Sequence, residues 1–101
     1  QQPEEKLERE SLADILEFMI DFLYYERDKI MIQMYFGIGE YSNIHNWHYH
    51  NPTGQMINGL TLQEIGEEFD LTRERVRKII FNALKQLKNR FGNPYLASYL
   101  P

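Results

Sequence analysis

Residues 61–88, with the sequence TLQEIGEEFDLTRERVRKIIFNALKQLK, constrain the fold more than any other part of the chain. Two helix starts are visible in this segment. Thr61 and Glu64 form a T-x-x-E capping box, in which each side chain can satisfy the free backbone N–H of the other residue, and Thr72 provides a second N-cap. Residues 70–71 remain as the connection. The pattern therefore predicts two short capped helices joined by a tight turn.

The two predicted helices fit a helix-turn-helix motif, in which the helices meet at a steep angle. A small residue is needed where they approach each other, and Gly66 has the right position. Apolar side chains must fill the corner, and the spacing assigns this role to Ile65, Leu71, Val76 and Ile79. The first turns of the second helix are then free to enter a DNA major groove.

Charge is distributed very unevenly along the chain. Residues 1–71 carry 4 basic and 14 acidic side chains, whereas residues 72–101 carry 7 basic and 1 acidic, so the formal net charge of −4 averages two very different parts. The seven basic residues are Arg73, Arg75, Arg77, Lys78, Lys85, Lys88 and Arg90. A helix of this charge in an acidic chain indicates contact with a phosphate backbone, and a merely solvated helix face is the alternative.

The polar face of the second helix has the residue types that read bases. On a helical projection, Glu74, Lys78 and Lys85 point away from the apolar stripe. Arginine and lysine suit the O6 and N7 of guanine, and glutamate accepts from the N4 of cytosine. A single acid among cations therefore favours base discrimination, with favourable placement at a helix N-terminus as the alternative for Glu74. Phe81 lies toward the polar face, where it could touch DNA methyl groups or a protein partner.

The chain is predicted to form one domain. Its 101 residues include no cysteine, which excludes a disulfide framework and a zinc finger. Residues 1–10 are predicted to be a flexible linker or arm, and residues 11–101 an all-α domain of four to five helices with a C-terminal helix-turn-helix. Residues 39–60 break all helical periodicity, which predicts a long loop or an inserted element with some local order.

Two helices are predicted ahead of the motif. Apolar residues recur at helical spacing over residues 11–24, which predicts one amphipathic helix. Residues 26–36 are helical in composition and apolar nearly all round from Ile30, so this second helix is either deeply buried or held by a partner. Gly37 is its predicted C-terminal stop.

Three histidines in the insert, His45, His48 and His50, invite interpretation as a metal site. No carboxylate or cysteine lies among them, however. We favour a small aromatic cluster, to which Trp47 and Tyr49 contribute, packed on the domain. No nucleophile, base and orienting group recur at a recognisable spacing either, so we predict neither a cofactor, nor a metal, nor an enzymatic activity.

The segment TLQEIGEEFDLTRERVRKI resembles region 4.2 of the sigma-70 family of bacterial RNA polymerase sigma factors, and ERDKIMIQMYFGIG resembles region 4.1, in the same order. The likeness covers residues 11–90, and T-R-E-R-V-R is its most specific part. It implies a transcription initiation factor domain that recognises the promoter −35 element through its recognition helix. It also implies docking on the flap of the polymerase beta subunit.

The resemblance assigns roles to individual residues by position. Those implied to face bases are Arg73, Glu74 and Lys78. Those implied to lie near the backbone or flanking bases are Thr72, Arg77 and Lys88. The implied flap contacts are Phe36, Leu84 and Leu87, for most of which plain core packing is the favoured alternative.

This chain departs from the family pattern at three places. Lys78 stands where glutamine is common, and because lysine suits guanine whereas glutamine suits adenine, a different promoter hexamer is expected. Tyr35 replaces a usual arginine and removes one expected phosphate contact. The join between the two regions, residues 39–60, is unusually long and looks inserted. Such divergence favours an alternative or phage-type sigma factor.

Two other functions stay open from the sequence. One is a helix-turn-helix transcription regulator that acts without polymerase, and the other is a polymerase- or anti-sigma-binding module with little DNA reading. The predicted partners are promoter DNA and RNA polymerase core, with an anti-sigma factor or other regulator as a further candidate. No apolar run approaches the ~20 residues of a membrane span, and residues 1–10 lack signal-peptide character, so a cytoplasmic, nucleoid-associated location is expected.

Overall fold

Five α-helices and one two-stranded sheet make up the part of the chain that the structure describes. The structure is a computed structural model and describes residues 13–44, 46–50 and 53–100. The elements are α1 at residues 13–19, α2 at Glu26–Phe36, β1 at Trp47–His50, β2 at Gln55–Asn58, α3 at Leu62–Phe69, α4 at Arg73–Phe91 and α5 at Pro94–Ala97. The predicted all-α helix-turn-helix domain is confirmed, with the small sheet as an addition. The predicted arm at residues 1–10 lies outside the described residues.

The first two helices differ in how well their ends were predicted. Helix α1 passes into a 3-10 turn at Ile20–Phe22, after which Leu23 is extended, so the helix predicted for residues 11–24 ends earlier. Helix α2 has the predicted bounds, Glu26–Phe36, and ends at Gly37 in a left-handed conformation with φ of 64°. Glycine adopts this conformation without the steric cost that a Cβ brings.

The core lies between α1, α2 and α4. Helix α2 is apolar on several sides because it is enclosed, and it buries Met31, Ile32, Met34 and Tyr35. Of the two alternatives for this helix, deep burial within the domain is therefore correct. Helix α4 contributes a continuous buried face formed by Val76, Ile79, Ile80, Phe81, Ala83, Leu84 and Leu87.

The insert between α2 and α3 is an ordered element. A 3-10 turn at Gly39–Tyr41 is followed by an antiparallel β-hairpin, here called the insert hairpin, in which Trp47 pairs with Asn58 and His50 with Gln55. The expectation of local order in residues 39–60 is thus met by a specific structure. Hairpins of two short strands are marginal by themselves, so this one depends on what it packs against.

The base of the insert hairpin is attached to both neighbouring helices. The amide of Leu60 donates to the carbonyl of Met34 in α2 at 2.8 Å. The side-chain amide of Asn46 donates to the carbonyl of Gly59 and to the Glu64 carboxylate in α3, each at 3.0 Å. These bonds fix the base of the hairpin to α2 and to the start of α3.

Candidate nucleic-acid interface

The first helix of the motif begins with the predicted capping box. The amide of Thr61 donates to Glu64 Oε1 at 2.9 Å, and the amide of Glu64 donates to Thr61 Oγ1 at 3.1 Å. The hydrogen bond from the Thr61 backbone is the main reason that the pKa of the Glu64 carboxyl lies below its ordinary value. Asn46 adds to the same effect, so the insert supports the start of α3.

The corner of the motif has the predicted composition. Asp70 adopts a left-handed conformation with φ of 56°, and the amide of Leu71 donates to the carbonyl of Gly66 at 2.8 Å. A Cβ at Gly66 would overlap the carbonyl oxygen of Leu71, which confirms the need for a small residue. Ile65 and Val76 are fully buried beneath the turn.

Helix α4 starts with an exposed polar turn. The Thr72 hydroxyl oxygen accepts from the amide of Arg75 at 3.1 Å, as an N-cap does. Since this bond uses only the oxygen, the O–H can still donate outward to an anion. Arg73, Glu74 and Lys78 are exposed beside it. With Arg77, which is hydrogen-bonded to Glu74, the structure therefore brings together five of the six residues predicted to contact DNA.

The acid of this surface has a specific partner. Arg77 Nε donates to Glu74 Oε1 at 2.8 Å, and Arg77 Nη2 donates to Glu74 Oε2 at 2.7 Å. These hydrogen bonds are the main cause that lowers the pKa of the Glu74 carboxyl, and they raise the pKa of Arg77. Glu74 and Arg77, here called the reading pair, form a bidentate hydrogen-bonded unit on the helix surface.

Phe81 supports Arg77 from one helical turn further along. The Arg77 guanidinium carbon lies 5.2 Å from the centre of the Phe81 ring, within the range of a cation–π contact. Phe81 itself is only 9% exposed. The expectation that its ring touches DNA or a partner is therefore wrong, because the side chain is buried and its ring contacts that of His50 in the insert hairpin.

His50 is the residue of the insert hairpin that contacts Phe81. Its ring is fully buried, and its centre lies 5.7 Å from that of Phe81 in an edge-to-face arrangement. His50 Nε2 lies 2.7 Å from the Tyr99 carbonyl oxygen, and Nδ1 lies 2.6 Å from the Tyr35 hydroxyl. Because a carbonyl only accepts, Nε2 carries the proton and Tyr35 donates to Nδ1. Burial lowers the pKa of His50, which favours this neutral form.

Comparison with known proteins identifies the family. A family model described as sigma-70, region 4 matches residues 25–89, which is more than half of the chain. The chain belongs to the sigma-70 region 4 family. The resemblance predicted from T-R-E-R-V-R and its surroundings is confirmed.

The curated relatives of this region 4 chain are RNA polymerase sigma factors. It is 36% identical over 80 residues to sigB of Arabidopsis thaliana, an alignment that covers 79% of the chain and 13% of the relative. It is 35% identical over 92 residues to RpoD of Helicobacter pylori, an alignment that covers 91% of the chain and 11% of the relative. It is 30% identical over 98 residues to SigA of Nostoc sp., an alignment that covers 97% of the chain and 21% of the relative. The chain thus spans a small part of each relative, and no solved structure matches it significantly. These relatives are transcription factors and not enzymes.

The three predicted flap contacts of the region 4 domain differ in how deeply they are buried. Leu84 and Leu87 are 0% and 1% exposed, within the described core. The structure thus agrees with the core-packing alternative for these two residues, because exposing a fully buried leucine side chain costs about 1.5–3 kcal/mol. Phe36 is partly exposed and lines a mainly apolar cleft of about 200 Å³. The other lining residues are Ala13, Leu16, Ile38, Trp47, Met56, Ile57, Asn58 and Tyr99.

The basic residues in the second half of α4 lie away from its first turns. Lys88 is exposed but lies about 15 Å along the helix axis from Lys78, given the usual rise per residue. Arg90 stacks on Phe22 and Phe91, with its guanidinium carbon 4.9 and 5.8 Å from the two ring centres. Its charge is therefore placed over an aromatic surface at the α1 side of the domain.

The histidines of the insert differ from expectation in a consistent way. Successive residues of a strand point to opposite faces, and His48 and His50 occupy the inner face of β1. Trp47 and Tyr49 are 61% and 69% exposed on the outer face. An aromatic cluster is present, but the histidines and not these two residues pack into it. Among the described residues, no group of three or more His, Cys, Asp or Glu could hold a metal ion, and His45 lies outside them.

Two supporting residues of the interface, His50 and Phe81, were not recognised from the sequence. The alternation Trp-His-Tyr-His was the available signal for His50, because it has the period of a strand with one inner face. For Phe81, the signal was its position four residues after Arg77 on the same helix. Within the described part of the chain, no helix is both long and apolar enough to cross a membrane.

Proposed function

We propose that this chain is the DNA-binding domain of a transcription initiation factor, and that the first turns of α4 read the promoter −35 element. The carrying observation is the surface formed by Thr72, Arg73, Glu74 and Lys78, which is exposed at the start of the second helix of a helix-turn-helix. Such a helix start enters the major groove in proteins of this motif. Membership of the sigma-70 region 4 family supports the same role. The role is not enzymatic.

Within this proposal, the residues of α4 act in two ways. Arg73 and Lys78 donate to guanine edges, and Glu74 accepts from cytosine. Thr72 and Lys88 hold phosphates, which position the domain without reading sequence. Arg77 orients Glu74 and offsets its repulsion from the phosphates, a role that follows from the bidentate pair.

The second half of the proposal is docking on the flap of the polymerase beta subunit, as the family resemblance implies. The apolar cleft that includes Phe36 is the surface that fits this role best. Partly exposed apolar surfaces with polar surroundings are typical of protein contact sites.

A binding selection with random DNA duplexes at two salt concentrations tests the reading half. We expect Glu74→Ala to relax preference at one base pair while overall affinity stays similar or rises, since a negative charge near phosphates is removed. Lys78→Gln should shift preference from guanine toward adenine at another position. A bidentate base contact is worth ~1–3 kcal/mol of discrimination, or about five- to 150-fold. A uniform loss across all sequences for Glu74→Ala would contradict the reading role.

A further inference from the structure

The reading pair is connected to the insert hairpin by an unbroken series of contacts. Glu74 is bonded to Arg77, the Arg77 guanidinium lies over the Phe81 ring, and the Phe81 ring meets the edge of His50. His50 belongs to β1 and ends the series. An element inserted between α2 and α3 thus reaches the surface proposed to read DNA.

His50 is unusually well fixed for the end of such a series. Both ring nitrogens are hydrogen-bonded, one to the hydroxyl of Tyr35 in α2 and the other to the carbonyl of Tyr99 near the C-terminus. The ring is fully buried and also meets the rings of Phe36 and Tyr99 in tilted arrangements. Its position is therefore set by two separate parts of the chain, α2 and the segment around Tyr99.

Phe81 can transmit this rigidity because its ring contacts that of His50. The side chain lies at the flank of α4, is 9% exposed, and has its ring centre 5.7 Å from that of His50. A phenylalanine ring that is packed on one face offers a fixed surface on the other. Arg77, whose side chain otherwise has large rotamer freedom, is held between this surface and Glu74.

We propose that the insert hairpin is a specificity element of the DNA-reading surface, with His50 and Phe81 as positioning residues that fix the Glu74–Arg77 pair. This inference rests on the proposed DNA-reading function and adds a source of base preference that does not touch DNA. When Arg77 is held against Phe81, Glu74 has one orientation toward the groove. When that support is lost, Arg77 is free to leave Glu74 for a phosphate, and discrimination by Glu74 falls.

The test measures base preference of the full chain with a pool of random DNA duplexes, for Phe81→Ala and His50→Ala with and without Glu74→Ala. We expect Phe81→Ala to reduce discrimination by about two- to fivefold at the base pair that Glu74→Ala relaxes, the range that a lost cation–π contact implies. His50→Ala should act in the same direction and more weakly. Neither change should reduce discrimination further in the Glu74→Ala background, because they act through Glu74.

Controls separate positioning from general destabilisation. Met19→Ala truncates a buried residue of α1 and should lower the folded fraction without changing the ratio between sequences. Circular dichroism checks folding, and Phe81→Leu and His50→Gln replace the alanine variants if these do not fold. If Phe81→Ala changes binding to all sequences equally, or if its effect persists without Glu74, positioning through the pair is overturned.

Two further outcomes locate any failure. If Phe81→Ala relaxes preference but neither His50 variant does, the insert hairpin has no part in specificity, and the inference is overturned. If the unchanged chain shows no sequence preference, or Glu74→Ala changes none, the proposed function itself fails. Loss of preference in Glu74→Ala alone, with both positioning residues inert, removes the inference and leaves the proposed function standing.

Discussion

At the scale of single residues, His50 connects the stability of the domain to pH. Its folded-state pKa lies below the ordinary value of 6.5, chiefly because the ring is buried. The groups that face it are the Tyr35 hydroxyl, His48 and the Tyr99 carbonyl. The pKa of Tyr35 is raised to about 12, so that hydroxyl does not titrate near neutral pH. Of His50 and Tyr35, only His50 therefore changes the free energy of unfolding near neutral pH.

We expect the free energy of unfolding to fall as pH decreases below 6.5. The unfolded chain then binds a proton at His50 that the folded chain still excludes, so protons favour unfolding until the lowered folded pKa is passed. Glu64 and Glu74, whose pKa values lie below 4.5, lose their contribution only at more acidic pH.

Urea unfolding at pH 7.5, 6.0 and 5.0 measures this effect against His50→Gln, which keeps one donor and one acceptor but does not titrate. The difference between the two proteins should shrink as pH falls through the window. Parallel stability profiles would show that His50 is not the titrating group.

The same residue shows what sequence can and cannot predict. The caps at Thr61 and Thr72 and the close approach at Gly66 were predictable because each depends on neighbours within a few positions. The burial of Phe81 was not, since its covering partner His50 comes from a distant segment. A polar residue in the core is visible only when both of its hydrogen-bond partners are in place.

At the scale of elements, two glycines that end helices offer a matched comparison. Gly37 ends α2 and Gly92 ends α4, with φ of 64° and 62°. An added Cβ at Gly37 would overlap the carbonyl oxygen of Asn58 in β2, whereas nothing lies within 4 Å of the corresponding position at Gly92. Only Gly37 combines left-handed backbone with close approach of the insert hairpin.

We expect Gly92→Ala to lower the free energy of unfolding by about 1–2 kcal/mol, the cost of a left-handed non-glycine residue. Gly37→Ala should lose that amount and ~1–3 kcal/mol more, because the hairpin must shift. Thermal or urea denaturation of both variants gives the comparison. Equal losses would mean that the contact between α2 and the hairpin contributes nothing.

The existence of the insert hairpin was beyond sequence reasoning at this scale. Its strands, Trp47–His50 and Gln55–Asn58, have four residues each, which is near the lower limit for strands. Helix bounds were easier, because the periodicity of residues 26–36 extends over three turns and a glycine marks the end.

At the scale of the whole molecule, the proposed function uses two separate sets of residues. The surface proposed to read DNA lies at the start of α4, and the apolar cleft with Phe36 and Met56, proposed to dock on polymerase, lies between α1 and the insert hairpin. Under this proposal, two surfaces of different chemistry bind DNA and polymerase together. Each function should therefore be removable without the other.

We expect a double Arg73→Ala and Lys78→Ala variant to lose DNA binding while it still co-purifies with RNA polymerase core. Met56→Glu should do the reverse, because an unpaired charge at an apolar contact weakens binding at least about tenfold. Tyr24→Glu, at an aromatic residue outside the cleft that is more exposed than Met56, is the control. Retained polymerase binding by Met56→Glu would exclude the cleft as the docking surface, and no co-purification by the unchanged chain would favour a regulator independent of polymerase.

The two ends of the insert hairpin, Asn46 and Gly59, lie side by side. The amide of Gly59 donates to the carbonyl of Asn46 at 2.9 Å, and the Asn46 side chain donates back to the Gly59 carbonyl at 3.0 Å. Chain length can therefore change between these two residues without moving α2 or α3, since closing a loop at a fixed seam depends only weakly on its length. The segment between Asn46 and Gly59 can thus be lengthened, shortened or replaced as a unit. If the insert hairpin sets base preference as proposed, such an exchange would alter which promoters are chosen while the helix-turn-helix stays unchanged.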